Sequence, residues 1–164
     1  MTVTDELLAN NETYAATFDQ GDLAMPPSKQ VAVVACMDAR LDVYRILGLA
    51  LGEAHVIRNA GGVITDDAIR SLVISQRLLG TKEIILIHHS DCGMLTFQDH
   101  EVKAQISADV GIRPSFALES FEDEVDDVQQ SISRLQANPF ITNKTNIRGF
   151  VFDVKTGRLN EVGG

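Results

Sequence analysis

Tryptophan is absent from the 164-residue sequence, and aromatic residues make up only 5%. Binding of single-stranded nucleic acid relies on aromatic rings that stack bases, so that role is not expected. Positive charge is also scarce. Fourteen basic residues face 23 acidic ones, for a net charge of −9 with neutral histidines. Phosphate backbones and anionic headgroups are not drawn to such a surface, which argues against nucleic acid or membrane partners and leaves a small neutral substrate open. No apolar run approaches the roughly 20 residues of a membrane span. The opening Met1-Thr2-Val3-Thr4-Asp5-Glu6 lacks the basic segment and apolar stretch of an export signal, so a cytoplasmic protein is expected. Only two cysteines occur, Cys36 and Cys92. They could close one disulfide. In a cytoplasmic chain long enough to bury roughly 70% of its extended surface without crosslinks, metal binding or catalysis is the better reading.

What is present is an apolar content of 45%, set out as alternating strand and helix patterns over the length of one domain. Residues 2–18 read as a helix that Thr2 with Asp5 can cap. Gly21 ends it, and Met25-Pro26-Pro27-Ser28 forms a stiff connector. Residues 1–29 are therefore a helix and arm, which can pack on their own domain or on a partner. Residues 30–164 are the main domain. A near-continuous Val/Ala strand over 30–35 implies burial on both faces, as in a parallel sheet. Asp42 caps a short helix, and 54–58 is a second strand. The Asn59-Ala60-Gly61-Gly62 loop allows positive φ or close backbone approach, but lacks the G-x-G-x-x-G spacing of a dinucleotide site. Thr65 caps a helix over 66–79 with Ile69, Leu72, Val73 and Leu78 inward, and Gly80 stops it. A third strand covers 83–88.

Thr96 with Asp99 predicts a capping box for a helix to about 108, and Ser120 with Asp123 a second one. Phe121, Val125, Val128, Ile132 and Leu135 then recur at helical steps. Residues 147–154 form a strand, and 159–162 return as an antiparallel edge. Strand–helix alternation predicts a three-layer α/β domain.

The chemistry gathers where two apolar runs end. Val31 to Ala35 runs into Cys36-Met37-Asp38-Ala39-Arg40, and Ile84 to Ile87 runs into His88-His89-Ser90-Asp91-Cys92-Gly93. The tips of neighbouring parallel strands are the usual place for a site in an open α/β sheet. His89 and Cys92 form an H-x-x-C pair that one turn can bring to a single ion, with Cys36 added by the fold. Two thiolates and an imidazole suit zinc with a fourth exchangeable position. By spacing alone, His88 could replace His89, and buried cysteines are also common in cores. Asp38 and Arg40 share a face with Cys36 if the segment is extended. Asp38 is then a fourth ligand or a hydrogen-bond acceptor beside the metal, and Arg40 can grip it through two bonds; a surface salt bridge is the plainer alternative. His88 and Asp91 are candidates for supporting the ligands, His55 for a structural role and His100 for none. Asp66 and Asp67 favour a helix N-terminus.

The C-x-D-x-R segment at Cys36, Asp38 and Arg40, the H-x-x-C-G segment at His89, Cys92 and Gly93, and Arg58-Asn59-Ala60-Gly61 between them resemble the beta-class carbonic anhydrases. The resemblance is concentrated in residues 31–94. It implies a mostly parallel four-stranded sheet with an added antiparallel C-terminal strand, flanked by helices. It implies one Zn²⁺ per chain on Cys36, His89 and Cys92. The implied reaction is reversible hydration of carbon dioxide to bicarbonate and a proton, through attack of zinc-bound hydroxide on CO₂. The Asp38–Arg40 pair would orient and gate the site, with Asp38 as a conditional fourth ligand. Gly61, Val63 and Met94 are the expected substrate-pocket residues. A homodimer is implied, with the N-terminal helix crossing to the partner, and further assembly of dimers is open.

The plant-type glutamine before C-x-D-x-R and the plant-type pocket aromatics are missing, so the compact prokaryotic and fungal members are the nearer match. The rival on the same fold is a carbonyl sulfide or carbon disulfide hydrolase. A non-catalytic zinc-binding assembly protein would need the ligands but not Asp38 and Arg40. A thiol redox role is disfavoured because the cysteines do not form a C-x-x-C pair.

Overall fold

A computed structural model describes residues 1–163. Five strands form one sheet: β1 (Val31–Cys36), β2 (Ala54–Asn59), β3 (Glu83–His89), β4 (Asn146–Phe152) and β5 (Leu159–Val162). Their order is β2-β1-β3-β4-β5. The first four are parallel, and β5 runs antiparallel to β4. The helices are α1 (Val3–Ala15), α2 (Val43–Leu47), α3 (Asp66–Leu79), α4 (Asp99–Val110) and α5 (Glu124–Ala137). This is the expected mostly parallel α/β arrangement with an antiparallel C-terminal strand.

All six residues of β1 are buried, because β1 has a strand on each side and cover on both faces. Alternation divides its side chains. Ala32 and Val34 join Ile84, Leu86 and Ile147 under Leu72 of α3 and Leu135 of α5. Val33 and Ala35 join Ile87 and Phe152 on the other face, beneath Leu41 and Val43. Each such Val, Leu or Ile contributes roughly 1.5–3 kcal/mol when fully buried. Gly149 on β4 permits the close seat of α5, since a Cβ there would run into Val128 and Ile132.

Several local expectations hold. Thr2 and Asp5 form the capping box of α1, Asp42 caps α2, and Thr65 and Gly80 bound α3. Others are corrected. Leu78 is 75% exposed, and the buried positions of α3 include Ser75 and Gln76 instead. Gln76 earns its place by hydrogen bonding: its Oε1 accepts from the amides of Thr142 and Asn143. Val125 on α5 is 40% exposed. Thr96 does not cap α4; its hydroxyl donates back to the Gly93 carbonyl. Asp123 alone caps α5, accepting from the amides of Val125 and Asp126.

Asp99 has a different task from the one predicted. Its carboxylate accepts from the amides of Leu118, Glu119 and Ser120 at 2.8, 3.3 and 2.9 Å. It thereby pins the loop that enters α5, where Glu119 takes a left-handed φ of 61°. Burial works to raise this carboxyl, but the amides of Ser120 and Leu118, then Glu119, outweigh it and hold it at about 2. Asp99→Ala is expected to cost about 1–3 kcal/mol, as charge-assisted hydrogen bonds are lost. The folded-state pKa lies below the unfolded value of 3.8, so the stabilisation is complete above about pH 4 and disappears as pH falls towards 2. Denaturant melts of wild type and variant should therefore converge across that window; a constant gap down to acid pH would contradict the account.

Candidate metal centre

Two adjacent strands deliver the donor atoms. Cys36 is the last residue of β1 and His89 the last of β3. Cys92 leads into the short 3₁₀ turn Gly93–Leu95. The three ligand atoms lie within 4.8 Å of one another, and all three residues are buried. His89 Nε2 is 3.2 Å from Cys36 Sγ. Its other ring nitrogen, Nδ1, lies 2.9 Å from the Ser90 carbonyl. That carbonyl can only accept, so the Nδ1 proton is held there and the Nε2 lone pair faces the sulfurs. The ligand loop is itself tied to β4, with Ser90 N donating to Phe152 O at 2.9 Å.

The turn Ala60–Gly62 closes over the tips of β1 and β3. Gly62 has φ +72°, and a Cβ there would stand 2.7 Å from Cys36 N and 2.9 Å from Ile87 O. Both uses foreseen for this loop, positive φ and close approach, are realised at one residue.

The donor set fits a soft divalent cation. The Cys36 thiol is held well below the ordinary range, first by its hydrogen bond with Cys92, against the effect of burial, and then by His89. Cys92 is pushed up by its hydrogen bond with Cys36 and by burial. Two adjacent buried thiolates repel each other, so a cation between them is what allows both to ionise. Two sulfurs and one imidazole nitrogen match a zinc site that keeps one exchangeable position.

Asp38 stands beside this cluster without belonging to it. Its Oδ2 is 3.6 Å from His89 Nε2. Arg40 grips both carboxylate oxygens, Nε to Oδ1 at 2.9 Å and Nη2 to Oδ2 at 2.8 Å. The Arg40 main-chain amide adds a third bond to Oδ1. These Arg40 contacts hold the Asp38 carboxyl well below the usual carboxylate range. Arg40 also reaches Asp91, through Nη1 to Oδ2 at 2.8 Å. Arg58 carries no local sign of a task in the sequence. It donates to the carbonyls of Cys36, at 3.0 and 2.8 Å, and of Asp38, at 2.7 Å, so it braces the main chain from ligand to carboxylate. Its only signal was its place in the Arg58-Asn59-Ala60-Gly61 segment.

A cleft of about 190 Å³ opens onto the cluster, with Met37, Gly61 and Met94 in its walls. Val63 is buried behind Gly61 and faces a separate crevice with Glu119 and Arg134. Phe121, read from sequence only as a helix residue, packs against Gly61 and lies 5.4 Å, ring to ring, from His88. His88 is fully buried, and its Nε2 is 2.6 Å from Asp127 on α5. His88 is absent from the ligand cluster, which contains His89. His55 bonds Ser75 at 2.8 Å, while His100, Asp66 and Asp67 are exposed.

Comparison with known proteins gives a consistent picture. The carbonic anhydrase family model matches residues 31–159. The chain is 66% identical over 162 residues to beta-carbonic anhydrase 1 of Mycobacterium tuberculosis, covering 99% of each chain. It is 34% identical to a carbon disulfide hydrolase of an Acidianus species, covering 96% of this chain and 87% of that one. The crystal structure of a carbonic anhydrase from Streptococcus mutans superposes with a TM-score of 0.93 at 42% identity, over 99% of each chain. With the matched residues 31–159 spanning Cys36, His89 and Cys92, the chain belongs to the beta-class carbonic anhydrase family.

Proposed function

We propose that the protein catalyses zinc-dependent, reversible hydration of carbon dioxide to bicarbonate and a proton. The observation that carries this reading is the buried Cys36–His89–Cys92 donor set with an arginine-clamped carboxylate at its edge, 3.6 Å from His89. A zinc ion used only for structure needs the ligands but not the Asp38–Arg40 pair.

Bound to Cys36, His89 and Cys92, zinc supplies Lewis acidity that makes water ionise near pH 7. The chain's own groups do the rest. Asp38, kept ionised by Arg40, accepts the hydrogen of the attacking oxygen and so turns a lone pair towards the carbon of CO₂. Arg40 fixes the plane of that carboxylate through two parallel bonds. With its Oδ2 3.6 Å from His89 Nε2, Asp38 would become a conditional fourth ligand if Arg40 released it. Gly61 and Met94 give CO₂ an apolar resting place, with Val63 supporting Gly61 from behind. His88 anchors the β3 tip to α5 through Asp127.

We also propose a homodimer in which residues 1–29 cross to the partner and residues 30–164 form the catalytic domain. No residue of α1 is buried within the chain. Leu7, Leu8, Tyr14 and Phe18 are exposed. A groove of about 540 Å³ beside α3, floored by Ile69, Val73, Ile74 and Phe140, is likewise uncovered. Among the described residues, no helix is long and apolar enough to cross a membrane. Two free ligand thiols suit a reducing, cytoplasmic setting.

A second reading shares the zinc site. Relatives at 34% identity are carbon disulfide hydrolases, so hydrolysis of carbon disulfide or carbonyl sulfide is the alternative.

Stopped-flow CO₂ hydration, with zinc measured in the same sample, tests the main reading. Rapid hydration that is lost on chelation and restored by zinc is expected. No hydration at about one zinc per chain, with turnover of carbonyl sulfide, would transfer the assignment to the alternative. Asp38→Ala should keep its zinc and lose at least about 100-fold in kcat; unchanged turnover would remove Asp38 from the mechanism. Deleting residues 1–22 should lower the mass measured by light scattering from dimer towards monomer, and an unaltered mass would show that α1 does not hold the assembly.

A further inference from the structure

We propose that Asp91 is the positioning residue of the catalytic pair: acting through Arg40, it fixes the direction in which Asp38 presents its carboxylate to the cleft. The inference rests on the carbonic anhydrase reading and deepens it.

The Arg40 side chain is 46% exposed, and a single exposed ion pair holds a long side chain only loosely. Arg40 is held from two edges instead. One edge of the guanidinium plane takes Asp38, through Nε and Nη2. The other takes Asp91, through Nη1 to Oδ2 at 2.8 Å and Nη2 to the main-chain carbonyl at 3.0 Å. Four of the five guanidinium N–H groups are then engaged, on acceptors at both sides of a rigid plane. Rotation that would tilt Asp38 breaks bonds to Asp91.

The backbone carries an independent sign. Asp91 adopts φ 56°, a left-handed conformation that disfavours side chains other than Asn and Asp. Glycine would take that turn without strain but would bring no carboxylate. The turn directs both the carbonyl and the carboxylate of Asp91 at Arg40, while the neighbouring Ser90 amide is anchored to Phe152. Asp91 does not itself face the reaction. Its side chain is 77% exposed, lies beyond Arg40 and is not among the clustered ligand atoms. It therefore acts by holding Arg40 and leaves the chemistry to Asp38.

The test uses zinc-loaded, full-length wild type with Asp91→Ala, Asp91→Gly and Asp91→Asn. Two quantities are read: the Arg40 Nε–H signal in protein labelled with ¹⁵N-arginine, identified by its loss in Arg40→Lys, and kcat with KM for CO₂ hydration. Wild type should show a sharp, slowly exchanging Nε–H. In the Ala and Gly variants the signal should broaden and exchange, and kcat should fall about tenfold with KM unchanged, the scale expected when a supporting partner of a metal site is removed. Asn keeps an oxygen acceptor and the turn conformation, so it should restore both. An unchanged signal and kcat in Ala and Gly would overturn the proposal. So would zinc loss with an unchanged Arg40 signal, which would assign Asp91 to loop folding alone. Wild type without CO₂ hydration would refute the carbonic anhydrase reading, and the Nε–H comparison would still decide whether Asp91 holds Arg40.

Discussion

Repulsion between two buried sulfur donors brought together at the foot of a cleft is the constraint that the rest of the structure answers to. Cys36, Cys92 and His89 converge within 4.8 Å, in surroundings where only one thiol readily ionises. Such a set is favourable only around a cation, and a scaffold that holds the donors together lowers the cost of assembling it. The parallel sheet does this. Ala35 and Ile87 are register partners, so β1 and β3 reach their C-terminal ends together, with His89 one residue beyond the level of Cys36. No loop has to find the metal; two strand ends are already there, and Cys92 needs only one further turn.

The braces around this cluster work on the main chain as much as on side chains. Arg58 holds the Cys36 and Asp38 carbonyls, and Gly62 brings the covering turn against the Cys36 amide. Ser90 stitches the ligand loop to β4. Asp38 thereby inherits a fixed offset from Cys36, because an arginine spans the two carbonyls. The position of the carboxylate relative to the metal ligands is therefore a property of backbone hydrogen bonding, with Arg40 setting its final tilt.

Much of this was legible in the residues themselves. Unbroken Val/Ala and Ile/Leu runs announced buried parallel strands, and their abrupt ends in Cys36 and in His89 to Cys92 marked the site. The capping roles of Thr2, Asp42 and Thr65 are legible because each acts on an amide within its own first turn. Asp99, Gln76 and Arg58 were not legible in the same way. Each satisfies main-chain groups remote in sequence, 19 to 21 residues away for Asp99 and 66 or 67 for Gln76. No local periodicity reports such partners. Leu78 failed for a related reason. A helical pattern shows that one side is apolar, but not how far the sheet beneath it extends, and Ser75 and Gln76 took the buried positions because polar partners awaited them.

The charge arrangement of the site also fits a reaction whose substrate is neutral and whose product is an anion. Arg40 is engaged by two carboxylates, and Arg58 by two carbonyls. Two thiolates would balance a divalent ion. Beside the Arg40-bound carboxylate of Asp38, the cleft walls include the apolar surfaces of Met37, Gly61 and Met94. A strongly cationic pocket would gather anions and slow their departure. The pairing of Arg40 with two carboxylates keeps this site from being one, and the acidic surface of the chain does not attract an anionic product.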